Sequence, residues 1–202
     1  MFVQVIQGKA KDPSGLRKQM ERWDQDLRPG AVGYLGSTAG VTGGGEFIAL
    51  VRFENEQSAQ ANSDRAEQSA WWEETSQYVD DPLFHDCILV DLTNDGGSDE
   101  AGFVQVIQGK VTDVDKARAL DQVTQSQMKE MRPDVIGGIT AWHPQNGRFT
   151  SAIYFTSEAE ARAKEKEMSS SSQFEAYMSE WQRLADGEPK YLDITEPWYS
   201  SR

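Results

Sequence analysis

No set of residues in this chain is spaced for acid–base or nucleophilic chemistry: the 33 aspartates and glutamates show no paired spacing that marks such work. There are two histidines, His85 and His143. Neutral imidazole is the usual base near pH 7, so either could take a proton. Either could equally be a strand-end residue with a structural hydrogen bond. His85 is the catalytic candidate of the two. Neither belongs to a spaced His/Cys/carboxylate set, so no metal site is expected. Nor is there a Ser-His-Asp or Cys-His arrangement. Gln4 and Gln105 each stand mid-strand between Phe and Ile. An amide on an apolar face must find a partner or cost about 1–3 kcal/mol. Each Gln could bond structurally to its mate across a barrel, or form a polar spot in a ligand cavity. Tyr34, Trp72, Trp142 and Tyr154 could surround a flat organic molecule or be ordinary core. Arg52 alternates with Ile48 and Leu50 and could anchor an anion or be a solvated strand-end charge. The run Gly40-Val41-Thr42-Gly43-Gly44-Gly45 joins two strands, with no Gly-Lys-Ser/Thr after it. It reads as a hairpin turn, not a phosphate loop.

These residues are positioned by a duplicated framework. Phe2–Lys9 and Phe103–Lys110 are the same sequence, FVQVIQGK, which marks an internal repeat. It is rich in Val, Ile and Phe and ends at a Gly, so it reads as a strand and its turn. Asp12-Pro13 then announces a helix, with Leu16, Met20, Trp23 and Leu27 as its apolar stripe. Strands are expected over Ala31 to Ser37, Phe47 to Phe53 and His85 to Leu92. A broken helix lies between the last two. The second copy follows the same order. Arg28-Pro29 matches Arg132-Pro133, Trp72-Glu73 matches Phe174-Glu175, and Val90–Thr93 matches Leu192–Thr195. Phe174, Tyr177, Met178, Trp181 and Leu184 form a helical stripe that reads as core packing. The expected division is 1–93 for repeat 1, 94–102 for a polar, glycine-rich linker and 103–202 for repeat 2.

Composition bounds the partners. The net charge of -13 would repel a phosphate backbone or an anionic membrane surface, so no nucleic-acid or membrane partner is expected. The longest apolar run, Phe47 to Val51, is far short of the ~20 residues that span a bilayer. The opening MFVQVIQGKAK has no basic segment before its apolar run, so it reads as a strand and not as a secretory signal. One cysteine, Cys87, allows no disulfide within the chain and fits a reducing, cytoplasmic location.

Each repeat thus reads β-α-β-β-α-β, an α+β, ferredoxin-like order. The expected fold is two such repeats packed sheet-to-sheet as an intramolecular, pseudo-dimeric α+β barrel. With the opening FVQVI strand, the hairpin ending in FIALVRF and the helix carrying a bulky aromatic, the chain resembles the dimeric α+β barrel superfamily. It is most similar to the antibiotic-biosynthesis-monooxygenase (ABM) branch, here in tandem. The heme-degrading pattern of that superfamily is not met: the first strands offer Gln4 and Gln105, and neither helix holds a histidine. The resemblance implies a cofactor-independent monooxygenase acting on a small aromatic or polyketide-like compound, without cofactor. The alternative is a non-catalytic barrel that binds a small molecule or serves in stress. One chain holding both repeats is expected to be a monomer with internal pseudo-two-fold symmetry and a small organic ligand. Repeat 1 combines His85, Arg52 and Trp71-Trp72, where repeat 2 has Gly187, Tyr154 and Gln173-Phe174 in the alignment. A ligand pocket is therefore expected against the first repeat's sheet, with Gln4 as a hydrogen-bonding group.

Overall fold

The computed structural model describes residues 1–201, apart from the side chains of Ser126 and Gln127. In chain order the elements are β1 (Phe2–Ala10), α1 (Pro13–Arg22), β2 (Tyr34–Val41), β3 (Glu46–Phe53), α2 (Glu56–Ser63), α3 (Ala66–Thr75), β4 (Val79–Cys87) and β5 (Leu89–Thr93). They continue with β6 (Phe103–Lys110), α4 (Val114–Met131), β7 (Val135–His143), β8 (Arg148–Phe155), α5 (Glu158–Met168), α6 (Ser172–Leu184), β9 (Lys190–Ile194) and β10 (Trp198–Ser201). Two compact units result. Unit 1 is Met1–Val90 with the stretch from Glu196 onward; unit 2 is Asp91–Thr195.

Each unit is a β-α-β-β-α-β arrangement whose sheet gains one further edge strand. The strand orders are β10-β2-β3-β1-β4 in unit 1 and β5-β7-β8-β6-β9 in unit 2. The α+β, ferredoxin-like expectation therefore holds for both repeats. The added edge strand is new in each. The expected single strand over His85 to Leu92 is two strands, and the second, β5, belongs to the sheet of unit 2. The Asp80-Asp81-Pro82 stretch lies inside β4. A proline is tolerated there because β4 is an edge strand, and Asp81 relieves the ladder with a left-handed backbone, φ 48°. Residues 94–102 do not begin as a free linker. Asn94, Asp95 and Gly96 form a left-handed turn, and Asn94 Nδ2 donates to the Val135 carbonyl at 3.0 Å.

Strand alternation sorts the side chains onto two faces. In unit 1, Phe2, Tyr34 and Phe53 face the helical layer and bury themselves with Trp23, Leu27 and Trp71. Leu16 of α1 closes over Phe47 and Ala49. In unit 2, Phe103 and Phe155 pack with Ala161 of α5. Phe149 meets both Trp142 and Trp181 of α6, at ring separations of 5.4 and 5.8 Å. Each such side chain contributes roughly 1.5–3 kcal/mol by leaving water. Helix starts follow the sequence signals. Asp12 accepts from the Ser14 and Gly15 amides at 3.1 Å, and Asp113 accepts from the Lys116 amide at 3.0 Å. In unit 2, Arg132 and Asp134 form a buried ion pair at 2.8 Å, with the Arg132 guanidinium lying over the Phe155 ring.

Candidate functional site

The residues singled out in the sequence do not converge on one place. Strand pairing opposes Val3 to Arg52 and Val5 to His85, so Arg52 and His85 share the sheet face turned away from unit 1's helical layer. Gln4, Tyr34 and Trp72 lie on the other, helix-covered face. The expected pocket that combined His85, Arg52 and Trp71-Trp72 is therefore not assembled: the sheet stands between the base and cation and the two indoles. Arg52 is buried, with Nη1 unpartnered in the structure, and its guanidinium lies over Gly36, where a Cβ would collide with it. Tyr34 donates its hydroxyl to Ser37 Oγ at 2.9 Å and packs edge-on to Phe53. Trp72 meets Phe84 edge-on at 5.0 Å. His143 ends β7 on the face away from Trp142.

The two glutamines do have a common role, and it is local. Gln4 Nε2 donates to Asp86 Oδ1, and Gln105 Nε2 donates to Asp193 Oδ1, both at 2.9 Å. Each pair bridges the first strand of its unit to the last. The cross-barrel partnership of Gln4 with Gln105 is thus replaced by two equivalent cross-strand pairs. The same pairing corrects the repeat alignment. Asp86 is equivalent to Asp193, so His85 corresponds to Leu192 and not to Gly187. Arg52 and Tyr154 do stand at equivalent places, each opposite the first Val of its opening strand.

On the helix-covered face of unit 2, away from Gln105, a polar group gathers that the sequence reading did not assemble. Trp142, almost fully buried, donates Nε1–H to Asp91 Oδ2 at 2.8 Å. Arg118 of α4 clamps the same carboxylate through Nε and Nη2, both at 2.7 Å. That guanidinium holds Asp91 below the ordinary carboxylate range. One turn further along α4, Asp121 receives Tyr177 Oη–H and Trp181 Nε1–H, each at 3.1 Å and both on Oδ1. Among the described residues, none donates to Oδ2 and no cation pairs with Asp121. Burial pushes its carboxyl up to about 6, against the two hydrogen bonds that lower it, and the charge of Asp91 adds to the rise. Tyr177 is pushed well above its usual value, by burial first and then by the adjacent Asp121 charge. The arrangement offers a carboxylate that changes charge near neutrality, with one free oxygen, held by the Trp181 indole and the Tyr177 phenol, and Phe149 packs against Trp181.

Unit 1 shows what the fold needs at these positions. The caps Asp12 and Asp113 are equivalent, and so are the hydrogen bonds from Lys11 to Tyr78 and from Thr112 to Leu184. Counted from these anchors, Asp121 corresponds to Met20, Tyr177 to Trp71 and Trp181 to Thr75. Met20 packs into the apolar cluster of unit 1. Trp71 donates to the Gln19 carbonyl, and Thr75 bonds its own helix. The fold is therefore satisfied by an apolar plug. A half-buried carboxylate in the same place costs stability unless compensated, so unit 2 carries a polar set that packing alone does not require.

The architecture is that of a tandem ferredoxin-like α+β protein, and solved structures share it over the whole chain. A candidate monooxygenase from Lactobacillus acidophilus superposes with a TM-score of 0.76 at 12% identity, covering 99% of this chain and 95% of that one. A candidate monooxygenase from Fusobacterium nucleatum gives 0.76 at 10% identity, covering 100% and 94%. An anthrone oxidase-like protein gives 0.68 at 11% identity, covering 100% and 94%. No family model and no curated protein sequence matches the chain.

Proposed function

We propose that this protein is a cofactor-independent monooxygenase for a small hydroxylated aromatic or polyketide-like compound, with its site on the helix-covered face of unit 2. The observation that carries this reading is Asp121: a half-buried, cation-free carboxyl, poised near neutrality, where the repeat places a methionine. The solved structures of like fold add support, two being candidate monooxygenases and one anthrone oxidase-like.

The chemistry needs a base more than a nucleophile. A hydroquinone or anthrone reacts slowly with oxygen while protonated; its anion is electron-rich enough to do so. Asp121 Oδ2 takes the substrate O–H proton, while Oδ1 stays held by Tyr177 and Trp181. The substrate anion then passes an electron to O2 and combines with the resulting superoxide at ring carbon. Protonation gives the hydroperoxide, and loss of water gives the quinone. The surrounding rings hold a flat substrate by stacking, and burial keeps the carboxylate basic. The ligand is thus a small organic molecule, and the working form is a monomer. A reducing, cytoplasmic location is the companion proposal. Cys87 fits it as a buried thiol pushed up to about 12 by burial, which leaves it inert. Among the described residues no helix is long and apolar enough to cross a membrane.

The test is oxygen uptake by the purified protein with a panel of hydroquinones and anthrones. Uptake is expected to rise with pH through about 6, as Asp121 ionises, and to yield quinones. Binding of these compounds without any uptake would replace the enzyme reading with that of a small-molecule-binding protein.

A further inference from the structure

The same face of unit 2 holds three readily oxidised side chains, and each gives its acidic proton to a carboxylate. Trp142 donates to Asp91, and Tyr177 and Trp181 both donate to Asp121. The Phe149 ring contacts both indoles, 5.4 Å from Trp142 and 5.8 Å from Trp181. Unit 1 is at least as rich in aromatic contacts, with Trp23 4.9 Å from Tyr34 and 6.5 Å from Trp71. These two indoles, however, donate to amide oxygens: Trp23 to Gln68 Oε1 and Trp71 to the Gln19 carbonyl. Amide oxygens hold a hydrogen bond but do not take the proton.

This difference matters for one-electron oxidation. Removing an electron from a phenol or indole makes its O–H or N–H strongly acidic, so oxidation is easiest where a base already holds that hydrogen. We propose that Trp142, Trp181 and Tyr177 form a relay for single-electron oxidation that ends at Tyr177, with Asp121 as the terminal proton acceptor. The relay is independent of whether the protein oxygenates a substrate.

The steps balance with an external one-electron oxidant, such as a metal complex or a radical. The oxidant takes one electron from Trp142 at a distance, since that indole is enclosed, and is reduced by one. Asp91, held by Arg118 and lowered by it, is a weaker base than Asp121, so the Trp142 radical is the more strongly oxidising of the two indole radicals. It is refilled by one electron from Trp181 across the Phe149 ring. Trp181 is refilled in turn by Tyr177. The Tyr177 O–H bond breaks, its proton passes to the Asp121 carboxylate, and a neutral tyrosyl radical remains. The ion pair at Asp91 and the unpaired Asp121 thus give the relay its direction.

Flash-generated tris(bipyridine)ruthenium(III) supplies the oxidant, and transient absorption and electron paramagnetic resonance read the radical. Above the Asp121 pKa of about 6, the intact protein is expected to form a neutral tyrosyl radical. Tyr177→Phe should remove most of that signal and leave a longer-lived tryptophanyl radical. Asp121→Asn should cause the same loss with the hydroxyl still present, and Asp121→Glu should restore it. Near-ultraviolet circular dichroism checks that each variant is folded. A tyrosyl signal that survives Tyr177→Phe, or one lost in Tyr177→Phe but undiminished in Asp121→Asn, overturns the relay. Oxygen uptake by the intact protein with hydroquinones is a separate readout, and its failure leaves the radical result standing.

Discussion

Asp121→Asn is expected to abolish oxygen uptake and, at neutral pH, to make the protein more stable. The two effects have one cause. A carboxyl whose pKa is raised on folding is harder to ionise in the folded chain than in the unfolded one. The resulting cost is absent below the ordinary value of 3.8, grows as pH rises, and is complete above about 6. A rise of about two units corresponds to about 3 kcal/mol of lost stability at neutral pH. The Asn amide oxygen can still accept from Tyr177 and Trp181, and it never ionises. The variant should therefore melt several degrees above the parent at neutral pH, with the gap closing towards pH 4 as the parent's carboxyl protonates. Uptake should fall by about 10²-fold or more, the usual worth of a general base. Thermal melts across pH and an oxygen electrode check both halves. A variant less stable than the parent at neutral pH would mean that the carboxylate is structural.

Arg132→Met is expected to be the most damaging single change in unit 2's framework. Arg132 and Asp134 are both nearly enclosed, joined through Nε and Nη2 to the two carboxylate oxygens. Removing the guanidinium leaves Asp134 as an unpaired buried charge and also removes the cation from the Phe155 ring. Breaking such a pair costs about 3–5 kcal/mol, whereas replacing both partners by apolar residues is often neutral. Arg132→Met alone should therefore lower the urea midpoint sharply, and Arg132→Met with Asp134→Leu should recover most of the loss. Equal loss in the single and double variants would show that the guanidinium matters for its packing and not for the carboxylate.

The framework was legible because the repeat and the residue periodicities agree: FVQVIQGK occurs twice, and Asp12 caps its helix as its type predicts. The edge strands were not legible. Pro82 inside β4 looks like a terminator, and only the position of β4 at the sheet edge makes it harmless. The cross-strand pairs were nearly legible, since both copies keep the Gln in the first strand and an Asp in the last. Matching Trp72-Glu73 to Phe174-Glu175 slips α6 by four residues against α3, which hid the equivalence of Tyr177 with Trp71 and of Trp181 with Thr75. With the helices aligned from their caps, Asp121 falls opposite Met20, and a carboxylate replacing an apolar side chain is the signal that was available. Asp121 by itself reads as part of a solvated helix face. Its burial depends on α6 closing over α4, and its contact with Trp181 spans sixty residues.

The most direct test of Asp121 as the poised base is its own titration. Carboxyl-carbon nuclear magnetic resonance, assigned by comparison with Asp121→Asn, should show one aspartate with a midpoint near 6, and the Trp181 indole N–H should shift with the same midpoint. A midpoint at or below the ordinary value of 3.8, or an indole resonance indifferent to pH over that range, would contradict the assignment of the base.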